Sequence, residues 1–271
     1  MDSSISSDAS ISSELNWVRT GPRDSGTVVL IHPVGLDLTY WGDQIEALRS
    51  RYDVIAFDLP GHGRSPGRPE DVTFARFASA TAALIEQQTA APVHVVGISV
   101  GGMIAQTLAL SHPALVRSLT LIATAATFSE EGRTVIGRRA ETIQTGGMAA
   151  VVAPFLERWF TPETLAQRPD ITDRITKTLL AGDPGVQAAM WTMVARLDVL
   201  ERLDEIKCPT LVLVGDRDPS TPPAFSTAIA ERIAGSRMFV LPDASHMLFL
   251  EQPDLINRHL LEFLQEAEQL P

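Results

Sequence analysis

Residues 93–102 read Val-His-Val-Val-Gly-Ile-Ser-Val-Gly-Gly: a β-branched run, then G-x-S-x-G, then Met103-Ile104 opening a helix-forming stretch. A G-x-S-x-G arises by chance in about 10% of chains this long, with Gly and Ser each near ~7%, so its context decides its meaning. A serine on a sharp strand-to-helix turn sits in a strained backbone geometry, and its neighbours two residues away must be small. Gly97 and Gly101 meet that need, and Gly102 lets the following helix approach the sheet. Such a turn lifts the Ser99 hydroxyl above the C-terminal edge of a sheet, at the positive end of a helix. The plainer alternative is a Gly/Ser turn with no chemistry.

Outward from this turn, short apolar runs recur at 27–31, 53–57, 93–96, 118–122, 210–214 and 238–241. Near-continuous apolar runs suit strands buried on both faces of a parallel sheet. Between them, Phe74, Phe77, Ala78, Thr81, Leu84 and Ile85 fall on one helical face, as do Leu255, Ile256, His259, Leu260 and Phe263. The alternation predicts an α/β fold, a mostly parallel sheet covered by helices. From 127 to 195 no strand-like run appears, and helical pieces are broken by Gly146-Gly147, Pro154, Pro162 and Gly182-Asp183-Pro184-Gly185. An insertion of ~70 residues is too long for a connection, so an all-helical cap is expected over 127–195. The core then comprises 14–126 and 196–271, preceded by a Ser-rich disordered tail over 1–13.

The 271 residues suffice to bury a large core without disulfides. The single cysteine, Cys208, can form neither an internal bridge nor a zinc cluster, and suits a reducing, cytoplasmic compartment. It is expected to be a buried small hydrophobe. The net charge of −11, from 22 basic and 33 acidic residues, argues against nucleic acid or an anionic membrane as partner. Residues 87–116 carry no Asp, Glu, Lys or Arg, a length that would span a bilayer. Prolines and glycines interrupt this stretch, which reads instead as strand, tight turn and buried helix. Nothing in the sequence gives an oligomeric state.

A serine hydroxyl needs a base to take its proton. Of six histidines, His94 lies in a strand, His259 on an apolar helix face, His112 at a helix terminus and His62 in the Pro60-Gly61-His62-Gly63 turn, all suited to structural roles. His32 opens the loop after the run 27–31. His246 follows the last strand in Pro242-Asp243-Ala244-Ser245-His246, where a base reaching over the strand edge should originate. A carboxylate must fix its tautomer. Asp218, in Gly215-Asp216-Arg217-Asp218-Pro219, can turn back toward it; Asp216 is the competitor and is expected to cap or to pair with Arg217. The chain order Ser99, Asp218, His246 is one of the known triad orders.

Together with His32-Pro33-Val34-Gly35, Asp58-Leu59-Pro60-Gly61-His62-Gly63-Arg64-Ser65 and Ser245-His246, these motifs resemble the α/β-hydrolase superfamily over residues 14–268. Asp218-Pro-Ser-Thr-Pro-Pro223, Ala244-Ser-His246 and Glu251-Gln-Pro253 look most like 3-oxoadipate enol-lactonases. The resemblance implies a cofactor-free, metal-free serine hydrolase acting on a small ester or lactone through an acyl-enzyme. It implies an oxyanion hole formed by the backbone N–H groups of Val34 and Val100. Pro33 departs from the usual glycine of that loop and has no N–H to offer. In the cap, Arg133, Arg138, Arg139, Arg158, Arg168 and Arg174 are candidates for a carboxylate clamp, with Arg138, Arg139, Trp159 and Trp191 chosen as substrate contacts. C–C hydrolysis of a vinylogous diketone and perhydrolysis use the same triad. A ligand-binding receptor that retains it is a further alternative.

Overall fold

The computed structural model describes residues 14–270; the tail expected over 1–13 lies outside the described residues. Among the described residues seven strands form one sheet: β1 Trp17–Thr20, β2 Thr27–Ile31, β3 Asp53–Phe57, β4 Val93–Ile98, β5 Val116–Ile122, β6 Thr210–Gly215 and β7 Arg237–Leu241. Their spatial order is β1-β3-β2-β4-β5-β6-β7, with β1 antiparallel to β3 and every other pair parallel. The chain winds from β2 to β3 on one side and returns to β4 on the other. The loops leaving β2 and β4 therefore diverge, and a crevice opens at the carboxyl edge between them.

β2, β3, β4 and β6 are buried along their whole length, as expected for strands covered on both faces. Two strands depart from the sequence reading. β1 is a short half-exposed edge strand with no apolar run to announce it. β7 matches the expected run at 238–241 but is an edge strand, with Phe239 and Val240 41% and 47% exposed, so burial on both faces does not hold there.

The covering helices follow their apolar stripes. α1, Gly42–Leu48, follows the β2 loop. α2, Phe74–Gln88, starts where the Thr73 side chain caps the Arg76 N–H, and buries Phe77, Ala78, Thr81, Leu84 and Ile85. α3, Val100–Ser111, is buried almost throughout. The charge-free stretch 87–116 thus divides among the end of α2, β4, α3 and a short 3-10 turn. No helix among the described residues is long and apolar enough to cross a membrane.

Between β5 and β6 the chain is helical: α4 Glu130–Gly146, α5 Ala149–Trp159, α6 Pro162–Gln167, α7 Pro169–Ala181 and α8 Pro184–Val194. It leaves the sheet and returns at adjacent points. The Val199 N–H donates to the Ala126 carbonyl, and one guanidinium, Arg133, spans the junction by donating to Phe128 O, Ala195 O and the Thr127 hydroxyl. Then follow α9 Pro223–Arg232, the short α10 Leu248–Glu251 and α11 Pro253–Gln269.

One buried ion pair ties the β1 edge down. The Arg19 Nε donates to both Asp53 carboxylate oxygens at 2.9 and 3.0 Å, and the Asp53 side chain is wholly enclosed. Replacing Arg19 by Met leaves a buried, unpaired carboxylate, which is expected to lower stability by about 3–5 kcal/mol. Urea unfolding would show this as a reduced midpoint; an unchanged midpoint contradicts the pairing.

Three histidines are buried without charge. Desolvation lowers the imidazoles of His32 and His94 to about 4, and that of His62, further opposed by His32, to about 3, against an ordinary 6.5. The unfolded chain therefore binds protons below pH 6.5 that the folded chain refuses. The stability this contributes is complete above pH 6.5 and is lost progressively as pH falls from 6.5 to about 4. Thermal or urea unfolding should register a loss of about 1–2 kcal/mol per histidine between pH 7 and 5. A flat profile over that interval would contradict neutral burial.

Candidate active site

Ser99 stands on the β4–α3 turn with φ 53° and ψ −119°, in the left-handed region that a side chain rarely enters. Its backbone is held from both sides: its N–H donates to Ile122 O at 2.9 Å, and its carbonyl accepts from the Thr124 hydroxyl at 2.7 Å. The glycines around it answer to close approaches. A Cβ at Gly97 would collide with the Gly101 carbonyl, and one at Gly101 with the Ile31 carbonyl. One at Gly102 would lie 2.7 Å from Thr124 Cβ. Backbone therefore packs directly on backbone beneath the serine.

His246 and Asp218 converge on Ser99 from the loops after β7 and β6. The Ser99 hydroxyl lies 2.9 Å from His246 Nε2, and His246 Nδ1 lies 2.8 Å from Asp218 Oδ2. All three residues are buried. An ionised carboxylate only accepts, so Nδ1 carries the proton and the Nε2 lone pair faces the serine hydroxyl. Burial works against the charged Asp218, but His246 and the hydrogen bonds from Thr221 outweigh it and hold the carboxyl below its ordinary value. Oδ1 accepts from the Ser220 and Thr221 N–H groups at 2.7 and 3.0 Å, and Oδ2 from the Thr221 hydroxyl at 2.8 Å.

Of the two roles expected for Asp216, capping or pairing with Arg217, the structure gives it a backbone donor and not its neighbour. It accepts from the Ala244 N–H at 3.4 Å, while Arg217 reaches Glu163 and Asp243. Two supporting residues lie in motifs that gave them no individual role. Thr221 closes the turn that presents Asp218, a pattern that Asp-x-x-Thr at a strand end could have signalled. Glu251 accepts from the Thr161 N–H and hydroxyl at 2.8 and 2.9 Å and from the Ser245 N–H at 2.6 Å, bracing the residue before His246 against the start of α6.

On the opposite wall, the Leu59 N–H donates to His32 Nε2 at 2.8 Å. Nδ1 therefore carries the proton, and donates it to the Pro33 carbonyl at 2.8 Å. That carbonyl and the Val34 N–H belong to one planar trans peptide, so the proline that lacks a donor leaves the following N–H with a fixed direction. Asp58 fastens the same loop: it accepts from the Leu38 and Arg64 N–H groups at 2.8 Å each and from Asn16 Nδ2 at 2.7 Å. His62 makes its expected turn hydrogen bond, to Pro60 O at 3.3 Å, and also meets Gln187 of α8 at 3.0 Å.

The chosen contacts of the helical segment part company. Trp159 and Trp191 are both buried, and each lies 5.2 Å from Phe155 between ring centroids. The Arg139 guanidinium lies over the Trp191 ring at 4.5 Å, whereas Arg138 is exposed on another face of α4. Of the other candidates, Arg133 holds the junction, Arg168 pairs with Asp170, and Arg174 donates to Thr39 and covers Tyr40. Arg158 donates to Pro219 O at 2.6 Å. Cys208, expected to be buried, is only half-buried; desolvation lifts its thiol to about 11.

Residues 28–259 match the model of the alpha/beta hydrolase family. Among curated relatives, 3-oxoadipate enol-lactonase 2 of Acinetobacter baylyi is 29% identical over 92% of this chain and 91% of its own. The pimeloyl-[acyl-carrier protein] methyl ester esterase of Neisseria meningitidis serogroup B is 31% identical over 88% and 92%. The crystal structure of the enol-lactonase from Burkholderia xenovorans LB400 superposes with a TM-score of 0.85 at 28% identity, over 93% of this chain and 96% of that one. Sheet and family match agree: the chain belongs to the alpha/beta hydrolase family.

Proposed function

We propose that the protein is a serine hydrolase of small carboxylic esters or lactones, with enol-lactones of the 3-oxoadipate type as its nearest substrate class. The observation that carries this reading is the unbroken hydrogen-bond line from Ser99 through His246 to Asp218, set on a strained turn at the crevice of the sheet. Names of relatives that open a lactone or cleave a methyl ester support it.

In this reading His246 Nε2 takes the Ser99 proton as Oγ attacks the substrate carbonyl, and Asp218 stabilises the imidazolium that results. The carbonyl oxygen becomes negative and receives the N–H groups of Val34 and Val100, an interaction often worth about 3–4 kcal/mol per donor. His246 then returns the proton to the leaving oxygen. In a lactone that oxygen stays tethered, so the ring opens while the acyl group remains on Ser99. A water deprotonated by the same nitrogen attacks the acyl-enzyme, and the acid departs. The helical segment 127–195 serves as a cap over the carboxyl edge of a core formed by 14–126 and 196–271.

Ser99→Ala is expected to abolish labelling by a fluorophosphonate and to lower ester turnover by about a thousand-fold or more. Asp218→Asn should keep the fold but cost roughly 10⁴-fold in kcat by imposing the wrong tautomer on His246. Robust hydrolysis by Ser99→Ala would refute the nucleophile assignment. Turnover of a vinylogous diketone in preference to an enol-lactone would move the substrate class to C–C hydrolysis and leave the triad in place.

A further inference from the structure

The residues on either side of His246 are both held by hydrogen bonds. The Ser245 N–H donates to Glu251 Oε2 at 2.6 Å. The Met247 N–H donates to Trp159 O at 2.9 Å, and the Met247 carbonyl accepts from the Glu251 N–H at 3.1 Å. Side chain and backbone of Glu251 thus close a ring that contains His246. The second carboxylate oxygen, Oε1, reaches out of this ring and accepts from the N–H and hydroxyl of Thr161 at 2.8 and 2.9 Å. Residues 159–161, which join α5 to α6, therefore grip both flanks of His246: Trp159 directly, and Thr161 through Glu251.

The donors show what this carboxylate does. Glu251 has no cationic partner among the described residues; its side chain is met by two backbone amides and one hydroxyl, on residues that are themselves buried. Hydrogen bonds from amides to an ionised carboxylate are charge-assisted, and the peptide plane gives each amide a fixed direction. His246 has little latitude. Its Nε2 stands 2.9 Å from the Ser99 hydroxyl while its Nδ1 stands 2.8 Å from Asp218. Ser99 and Asp218 are fastened by their own surroundings, so the peptides flanking His246 decide whether both distances are met at once.

We propose that Glu251 is a positioning residue for the His246 base, and that it works by fastening the base loop to residues 159–161, so that helical segment and base move as one body. The proposal deepens the hydrolase reading and rests on it for the role of His246. Glu251 touches neither Ser99 nor the His246 ring, so its loss slows proton transfer and leaves substrate binding alone. The helical segment thereby serves the chemistry itself, through a contact made to the backbone of the base loop. A displacement of ~1 Å at a reacting group can cost about 100-fold in rate, which sets the scale of the effect.

Glu251→Gln keeps the size of the side chain but turns an amide NH₂ toward the N–H of either Ser245 or Thr161, so that donor faces donor. With p-nitrophenyl acetate it is expected to lower kcat by about 10- to 100-fold and to leave KM within about threefold. Labelling by a fluorophosphonate separates position from folding: the final labelled fraction should match that of the unaltered protein, reached at a rate reduced by a similar factor. Thr161→Val removes the hydroxyl and keeps the N–H. It should show a smaller loss of labelling rate, about two- to fivefold, and no further loss when added to Glu251→Gln. An unchanged labelling rate in either variant would overturn the proposal. So would a reduced labelled fraction that reacts at the unaltered rate, the outcome of a purely structural role. If the unaltered protein neither turns over the ester nor takes the label, the hydrolase reading fails on its own. The downfield proton resonance of the His246 Nδ1–H then tests the clamp: a shift in Glu251→Gln supports it, and an unmoved resonance overturns it.

Discussion

The structure depends on one close contact: the backbone of α3 at Gly101 against the backbone of β2 at Ile31, with no room for a Cβ between them. Only when helix and sheet meet that closely can the chain turn within one residue at Ser99. That turn forces a positive φ on a residue that would otherwise avoid it. The local strain persists because the Ile122 carbonyl and the Thr124 hydroxyl fix the serine's own N–H and carbonyl. Rigidity at Ser99 is thus a property of the sheet centre, where β4 lies between β2 and β5, both buried.

The other site residues come from loops, and loops need fastening. Carboxylates do this work with backbone amides as their donors: Asp58 for the β2 and β3 loops, Glu251 for the Ser245 amide and α6. Asp218 is itself fastened by Ser220 and Thr221 before it touches His246, so the imidazole meets an acceptor already in position. Histidines work by the opposite means. His32 and His62 are useful because burial keeps them neutral, one nitrogen donating and the other accepting. The fold therefore trades resistance to acid for definition of the crevice.

Much of this was legible in the sequence because it rests on local pattern. Central strands announce themselves by continuous apolar runs, since both faces are covered, and the turn at Ser99 by glycines whose spacing only one backbone path explains. Edge strands carry no such signal: β1 lacks an apolar run, and β7 has one that is half exposed. Side-chain partners across distant loops were less legible still. Arg217 chose Glu163 and Asp243 over its neighbour Asp216, because adjacent residues in a turn point apart while the fold brings remote carboxylates close. Likewise Arg138 and Arg139 are indistinguishable by composition. On a helix they stand about 100° apart, and that rotation exposes the first and turns the second onto Trp191.

Charge shows why position matters more than sum. A chain with a net charge of −11 repels anions at long range, where fields add. At contact, a ligand meets only the groups that face it, and its interaction with a partly desolvated guanidinium is far less screened than with surface carboxylates. Arginines already engaged by Asp170 or by backbone carbonyls have little left to give. Arg139 differs from them in meeting a ring rather than an acceptor: it lies over the Trp191 indole, and burial holds its guanidinium below its ordinary range.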